Sequence, residues 1–127
     1  MDAGKVVALF PEGTTTNGSH VQHFHAALLQ PAIAARRPIV PLAISYHHSD
    51  GSRSLAAAYD GDVSLGESMM SIAAAGSLTV RLQLAAAIDT VQTPERRIVA
   101  QRARDAIVAR ACPQALVGDA PAIAHVA

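Results

Sequence analysis

The sequence predicts an α/β fold, and three observations support this prediction. A short apolar run at residues 6–10 ends at Pro11, which is typical of a strand buried on both faces. An apolar run at residues 39–46 and an alternating segment at residues 78–84 predict two further strands. The segments between and after them show helical spacing and capping residues, so helices flank the strands.

The first predicted strand leads into a polar turn. Glu12, Gly13 and the threonines at residues 14–16 supply one carboxylate, three hydroxyls and a backbone that can bend at the glycine. Ser19 and Gln22 then form a capping box, which predicts a helix from residue 20. Backbone N–H groups at such a helix start can receive an anion, although loops of this composition also occur with no chemical role.

The remaining elements follow from local signals. Pro31 ends or kinks the helix predicted over residues 20–30, and a further turn can continue to Arg37. Pro41 belongs near the start of its strand or at an unpaired edge. Residues 47–59 have turn composition and predict a surface loop, and a second capping box, Ser64 with Glu67, predicts a helix ending at Gly76.

Residues 78–84 alternate, with Leu78, Val80, Leu82 and Leu84 on one face. One face of this strand must therefore be exposed to solvent or partly covered, or the strand must lie at an edge.

Thr93 as N-cap and Pro94 at the first helical position predict a last helix running to about residue 111. Its five arginines spread around the helix with Glu95 and Asp105 interspersed, which favours a solvated face over a phosphate or membrane stripe. They are Arg96, Arg97, Arg102, Arg104 and Arg110. Residues 112–127 have no periodicity and predict a disordered or frayed tail.

Composition restricts the possible partners. Of 127 residues, 10 are Lys or Arg and 10 are Asp or Glu, so no net charge steers the chain toward nucleic acid. The lone cysteine, Cys112, fits a reducing compartment. Charges interrupt every long apolar window, and the N-terminus is not a signal peptide, so we expect a soluble or peripheral chain with no transmembrane segment.

The clustered histidines do not predict a metal site. On a helix, His20 and His23 share a face but His25 points elsewhere, and no cysteine or carboxylate completes a ligand set. An H-x-x-D arrangement at His47 and Asp50 falls in a loop, and we assign it no role.

Two sequence blocks carry a resemblance to a known family. Residues 10–14, F-P-E-G-T, resemble the signature of the glycerol-phosphate and lysophospholipid acyltransferases, and residues 39–44, I-V-P-L-A-I, are similar to the family's V-P-x-x-I strand at the usual distance behind it. Phe24 lies where the family tends to carry an aromatic residue. The resemblance implies that the substrate-binding residues are Phe10, Pro11, Glu12, Gly13, Thr14 and Thr15, and that Val40 and Pro41 form the acyl-side wall.

The chain departs from the family in two respects. The family's catalytic histidine and aspartate are spaced H-x-x-x-x-D in a block before F-P-E-G, and no histidine here is followed by aspartate at that spacing, so we expect no catalytic residue in this chain. Thr15 stands where the family often has arginine, a bidentate partner for phosphate, so the acceptor can be another lyso-lipid, including an amino-acid-containing one.

The resemblance therefore implies a truncated acyltransferase. Its fold is a partial three-layer sheet lacking the first part of the domain, with residues 1–111 in the domain and the two strands parallel through a right-handed crossover. The implied reaction moves an acyl group from an acyl thioester, acyl-CoA or acyl carrier protein, to the hydroxyl of a lysophospholipid, with no cofactor. The intact family member is expected on the cytoplasmic side, peripheral to the inner face of the membrane. The alternatives are a non-catalytic module that binds a lipid head group or a partner, an inactive gene fragment, and an unrelated domain with a coincidental loop.

Overall fold

Three α-helices, one 3₁₀ turn and two strands make up the part of the chain that the computed structural model describes, residues 6–16 and 18–111. The 3₁₀ turn, Ala26–Leu29, continues directly into α1, Gln30–Ala34. β1, Leu42–His47, is followed by α2, Leu65–Ala74, then by β2, Thr79–Leu84, and by α3, Arg96–Ala111. The tail predicted for residues 112–127, with Cys112, lies outside the described residues. Mixed helices and strands are compatible with the predicted α/β class.

The sheet consists of β1 and β2, which pair antiparallel. Leu42 lies opposite Leu84, and His47 lies opposite Thr79. Pro41 precedes β1, as its missing N–H requires, and its carbonyl accepts a hydrogen bond from the Ala85 N–H at 2.9 Å. The prediction of Pro41 near a strand start is therefore confirmed.

The core lies between α3, the segment at residues 21–33 and one face of β1. Its large side chains are Val21, Phe24, Leu29, Ile33 and Val99, and Phe24 is only 3% exposed. The remaining buried apolar residues are the alanines Ala43, Ala100, Ala103 and Ala111. Because these alanines are small, α3 and the β1 face meet through short side chains.

The opposite face of the sheet is apolar and uncovered by the described residues. We call it the apolar sheet face. Its members are Leu42, Ile44 and Tyr46 of β1 and Val80, Leu82 and Leu84 of β2, which are between 37% and 68% exposed. The alternation predicted for residues 78–84 is confirmed within β2, and the face exposed to solvent is the apolar one.

The second capping box forms as predicted. The Glu67 N–H donates to the Ser64 hydroxyl at 3.2 Å, and the Ser64 N–H donates to Glu67 Oε2 at 2.8 Å. These donors hold the pKa of Glu67 below its usual range, chiefly through the Ser64 backbone N–H. The helix ends before Gly76, which has φ +69°. The last helix begins at Arg96, two residues after the predicted Pro94.

The strand predicted at residues 6–10 is wrong for this structure. These residues form no strand, and Val6 and Phe10 are 96% and 78% exposed. A strand buried on both faces needs neighbouring strands and covering layers, whereas β1 pairs with β2 in the described residues. The expected parallel pairing of residues 6–10 with residues 39–46 is therefore also wrong here.

The helix predicted from residue 20 is wrong as well, because tertiary contacts take its backbone groups. The Gln22 N–H donates to Glu12 Oε2 at 2.8 Å instead of entering a first helical turn. The carbonyls of Val21 and Gln22 accept hydrogen bonds from the Arg104 guanidinium at 2.9 and 3.0 Å. Helical structure begins only at Ala26.

No helix within residues 6–16 and 18–111 combines the length and the apolar character needed to cross a membrane.

Candidate functional site

Residues 10–14, which we call the FPEGT turn, form a tight bend around a glycine. The Gly13 N–H donates to the Phe10 carbonyl at 3.3 Å. Gly13 has φ +68°, a left-handed conformation that a side chain disfavours. A Cβ at this position would lie 3.0 Å from His25 Cδ2 and 3.1 Å from its Nε2. The turn therefore needs glycine both for its backbone angle and for the close approach of the His25 ring.

Two hydrogen bonds join the FPEGT turn to residues 22–25. The His25 N–H donates to the Pro11 carbonyl at 2.8 Å. The Gln22 N–H donates to Glu12 Oε2 at 2.8 Å, and Glu12 Oε1 accepts no hydrogen bond from the described residues. Because Glu12 is half-buried and has this second oxygen free, it can accept a hydroxyl or ammonium hydrogen from a ligand.

The other predicted substrate-binding residues face solvent. Phe10, Thr14 and Thr15 are exposed, and the Thr14 hydroxyl makes only a long contact of 3.5 Å with the Thr15 carbonyl. The two hydroxyls are available to donate to ligand oxygens. The turn and the adjoining Thr15 thus offer one carboxylate oxygen and two hydroxyls to a ligand.

The two predicted acyl-wall residues immediately precede β1. Pro41 is buried and Val40 is half exposed. Among residues 6–16 and 18–111, no hydrogen bond joins either of them to the FPEGT turn. The hydrogen bonds of the turn therefore join the first predicted block to residues 22–25 and not to the second block.

Two arginines to which the sequence analysis assigned no structural role hold the segment behind the turn. Arg104 of α3 donates to the carbonyls of residues 21 and 22. Arg53 donates to the carbonyls of Gly18 and Ala111, at 2.6 Å each. These bonds span 35 to 83 residues of sequence, so no local pattern could have indicated them. The interpretation of the α3 arginines as a solvated face misses this role of Arg104.

In the part of the chain that the structure describes, no hydrogen bond joins His47 to Asp50. His47 Nδ1 contacts the Gly51 carbonyl at 3.1 Å, which can only accept, so Nδ1 carries the proton and Nε2 accepts from the Ser45 hydroxyl at 3.0 Å. Asp50 Oδ1 instead accepts hydrogen bonds from the Ser52 hydroxyl at 2.6 Å and from the Ser52 backbone N–H at 2.8 Å. These two donors lower the pKa of Asp50. Across the described ranges, no three His, Cys, Asp or Glu side chains gather as a metal site would require.

Comparison with known proteins identifies relatives of the chain. Residues 1–45 match the family profile described as Acyltransferase. The 1-acyl-sn-glycerol-3-phosphate acyltransferase of Neisseria meningitidis serogroup B is 28% identical over 107 residues, 84% of this chain and 42% of that protein. The lyso-ornithine lipid O-acyltransferase of Pseudomonas aeruginosa is 34% identical over 104 residues, 82% of this chain and 40% of that protein.

A second lyso-ornithine lipid O-acyltransferase, from Rhizobium meliloti, is 31% identical over 117 residues, 80% of this chain and 40% of that protein. No solved structure matches the chain significantly. The chain spans 40% to 42% of the length of these curated relatives. The profile match and these relatives confirm the resemblance carried by the two sequence blocks, and the chain is similar to acyltransferases over most of its length.

Proposed function

We propose that this chain is the acceptor-binding part of a lysophospholipid acyltransferase. The reaction transfers an acyl group from an acyl thioester, acyl-CoA or acyl carrier protein, to the hydroxyl of 1-acylglycerol-3-phosphate or a similar lyso-lipid. The observation that carries the proposal is the FPEGT turn with the adjoining Thr15, which leaves Glu12 Oε1 and the hydroxyls of Thr14 and Thr15 available to a ligand. The similarity to enzymes named for 1-acylglycerol-3-phosphate and for lyso-ornithine lipid supports a lyso-lipid acceptor.

The turn's role in this proposal is to bind and orient the acceptor head group. Thr14 and Thr15 donate hydrogen bonds to head-group oxygens, and Glu12 accepts one from a head-group hydroxyl or ammonium. Glu12 is suited to this role because its other oxygen is fixed by the Gln22 N–H at 2.8 Å, which limits the positions of the carboxylate. Binding in one orientation brings the acceptor hydroxyl to the thioester.

The chemical step requires a base that these 127 residues do not supply at the family's spacing. In the proposed reaction, the acceptor oxygen bonds to the thioester carbonyl carbon, the C–S bond breaks, and the hydroxyl proton passes through the base to the leaving thiolate. A histidine oriented by an aspartate performs that proton transfer. None of the six histidines precedes an aspartate as H-x-x-x-x-D. We therefore place the catalytic pair in polypeptide outside this sequence, which makes the chain a truncated acyltransferase.

The proposal extends to the fold and the location of the whole enzyme. The apolar sheet face supports a further layer packed on β1 and β2, as in a three-layer α/β domain. In that domain, Val40 and Pro41 form the acyl-side wall. The intact enzyme lies at the inner face of the cytoplasmic membrane, where its lipid acceptor resides.

The absence of the H-x-x-x-x-D spacing from the 127 residues also favours a second candidate. In it, the chain binds a lipid head group or a protein partner without catalysis, or derives from an inactive gene fragment. The two candidates differ in whether the genomic reading frame continues upstream into a catalytic block.

The first experiment reads the DNA upstream of residue 1 for H-x-x-x-x-D within about 60–90 codons, a distance set by domain length. If the motif is in frame, the extended protein is assayed for transfer from acyl-CoA to 1-acylglycerol-3-phosphate and to lyso-ornithine lipid. We expect transfer, and we expect Glu12→Gln to raise the acceptor KM while Glu95→Gln, which removes a charge at the start of α3, leaves it unchanged. Absence of the motif, or absence of transfer to both acceptors, contradicts the acyltransferase proposal.

A further inference from the structure

A cavity of about 230 Å³ lies between α3 and residues 23–26. We call it the α3 cavity. Its lining residues are His23, Phe24, Ala26, Arg97, Ala100, Gln101 and Arg104. Pockets that enclose drug-sized ligands are usually about 300–1,000 Å³, so this cavity suits a small polar group rather than an acyl chain.

The polar groups of the α3 cavity come from one face of the helix. Arg97, Gln101 and Arg104 are spaced i, i+4 and i+7, which places them in a row on α3. At a rise of about 1.5 Å per residue, the first and last Cα atoms are roughly 10 Å apart, and arginine side chains can converge on one anion from both ends. His23 adds an imidazole from the facing segment.

The cavity has an apolar floor. Phe24 and Ala100 are 3% and 4% exposed, so they line the cavity at its buried side. Apolar surroundings strengthen the attraction between a guanidinium and an anion. The buried floor distinguishes this site from a row of arginines on an open helix surface, while His23, Arg97 and Gln101 at its rim are exposed to solvent.

The two guanidiniums differ in their existing partners. Arg104 uses Nε and Nη2 on the carbonyls of residues 22 and 21, which fixes its position at the cavity. Arg97 makes no hydrogen bond or ion pair with the described residues and is free to receive a ligand. A nearby carboxylate is Asp105, which accepts from Gln101 at 2.8 Å, lies 4.0 Å from Arg104 Nη1 and does not line the cavity. Two guanidiniums and one imidazole thus line the cavity, and no carboxylate of the described residues does.

The α3 cavity adjoins the FPEGT turn. The His23 and His25 rings meet edge to face with centroids 6.1 Å apart, and His25 is the ring that closely approaches Gly13. His23 and Phe24 also lie between residues 22 and 25, whose N–H groups bind the turn. A head group at the turn is therefore next to the cavity.

We propose that the α3 cavity binds the anionic group of the acceptor's head group, a phosphate monoester or a carboxylate, through Arg97, Arg104 and His23. This inference rests on the proposed function for the identity of the ligand. The shared chemistry is a compact anion with at least two oxygen acceptors, which a guanidinium binds through paired N–H groups.

The test titrates the ¹⁵N-labelled 127-residue chain with inorganic phosphate and, separately, with a short-chain 1-acylglycerol-3-phosphate kept below its micelle concentration. We expect saturable chemical-shift changes at His23, Phe24 and Gln101 with both ligands. If inorganic phosphate binds with an affinity within twofold of that of the lyso-lipid, the cavity recognises the anion alone. If the lyso-lipid binds at least tenfold more tightly than phosphate, the cavity recognises the whole head group. Absence of saturable shifts at these residues with both ligands overturns the proposal.

Matched variants separate the cavity from general charge. Arg97→Gln should weaken binding of both ligands at least about fivefold, the upper range for an exposed ion pair. Arg96→Gln removes the same charge from the neighbouring residue, which does not line the cavity, and should change affinity by less than twofold. Equal weakening by the two variants overturns the assignment to the cavity. Because Arg97 has no partner in the described residues, its replacement should leave the far-UV circular dichroism unchanged.

The enzyme assay distinguishes failure of this inference from failure of the proposed function. If the extended protein transfers acyl groups and Arg97→Gln leaves the acceptor KM unchanged, the cavity is not the head-group site, while the acyltransferase proposal stands. If the anion binds at the cavity and no transfer occurs, the binding site stands and the acyltransferase proposal fails.

Discussion

Replacement of Gly13 by alanine tests the packing of the FPEGT turn on His25. At φ +68°, a residue with a Cβ is destabilised by about 1–2 kcal/mol. The new Cβ would also lie 3.0 Å from the His25 ring, which must rotate away from its preferred rotamer at a cost of about 0.5–1.5 kcal/mol. We expect Gly13→Ala to lower the free energy of unfolding by roughly 2–3 kcal/mol, measured by urea denaturation with far-UV circular dichroism.

Gly76→Ala is the matched control for this prediction. Gly76 has φ +69°, and nothing lies within 4 Å of a Cβ built there, so it carries the backbone penalty without the contact. Gly76→Ala should therefore lower the free energy of unfolding by only about 1–2 kcal/mol. In a His25→Ala background, Gly13→Ala should lose its excess over this control. Equal effects of the two glycine variants in the wild-type background would refute the close approach of His25 to the turn.

Three further predictions concern α3, α2 and the sheet. Arg104→Met removes two guanidinium hydrogen bonds to backbone carbonyls and should lower the free energy of unfolding by about 1–3 kcal/mol, read from the urea midpoint. Hydrogen bonds from Ser64 lower the pKa of Glu67 from 4.5. The ionised Glu67 therefore stabilises α2 fully above pH 4.5, and this stabilisation is lost as the pH falls through the lower pKa of the folded state. The protection factors of the α2 amides in hydrogen exchange should fall over the same pH range. Leu82→Ser should reduce self-association of the isolated chain, measured by sedimentation velocity, because Leu82 is 56% exposed on the apolar sheet face.

Each of these predictions has an internal control. Arg102→Met loses only a bond to the Thr93 hydroxyl, and its effect on the free energy of unfolding should stay within about 0.5 kcal/mol. Glu67→Gln should abolish the decline in the protection factors of the α2 amides at low pH; if the decline persists, another group causes it. Met70→Ser removes an apolar side chain that is 70% exposed on α2, away from the sheet, and should leave self-association unchanged. A monomeric wild-type chain at all concentrations would contradict the role of the apolar sheet face.

The two capping boxes show how far local sequence determines this fold. Ser64 and Glu67 form theirs because both partners lie three residues apart and α2 makes few competing contacts. Ser19 and Gln22 have the same spacing, but Glu12 accepts the Gln22 N–H from ten residues away. A carboxylate receives a backbone N–H more strongly than a neutral hydroxyl does, so the tertiary contact prevails over the local pattern.

The candidate site was predictable in part for a similar reason. Its composition and the bend at Gly13 follow from the sequence of the turn itself. The packing of His25 on Gly13 depends on residues 22–25 being held by Arg104, more than 80 residues away in sequence. The exposure of residues 6–10 was not predictable from their apolar character, because burial of a strand depends on layers that the strand does not encode.

The buried alanines between α3 and β1 make this contact sensitive to any substitution that adds volume. Alanine has no side-chain rotamer entropy to lose, so Ala43, Ala100 and Ala103 become buried at little entropic expense. Glycine is the sole smaller residue, and every other replacement adds volume to a closely packed contact, which typically destabilises by about 1–3 kcal/mol. Enlargement at residue 100 or 103 would displace α3 outward together with its arginines. Replacement of Ala103, which does not line the α3 cavity, would therefore move the cavity arginines without altering a lining residue.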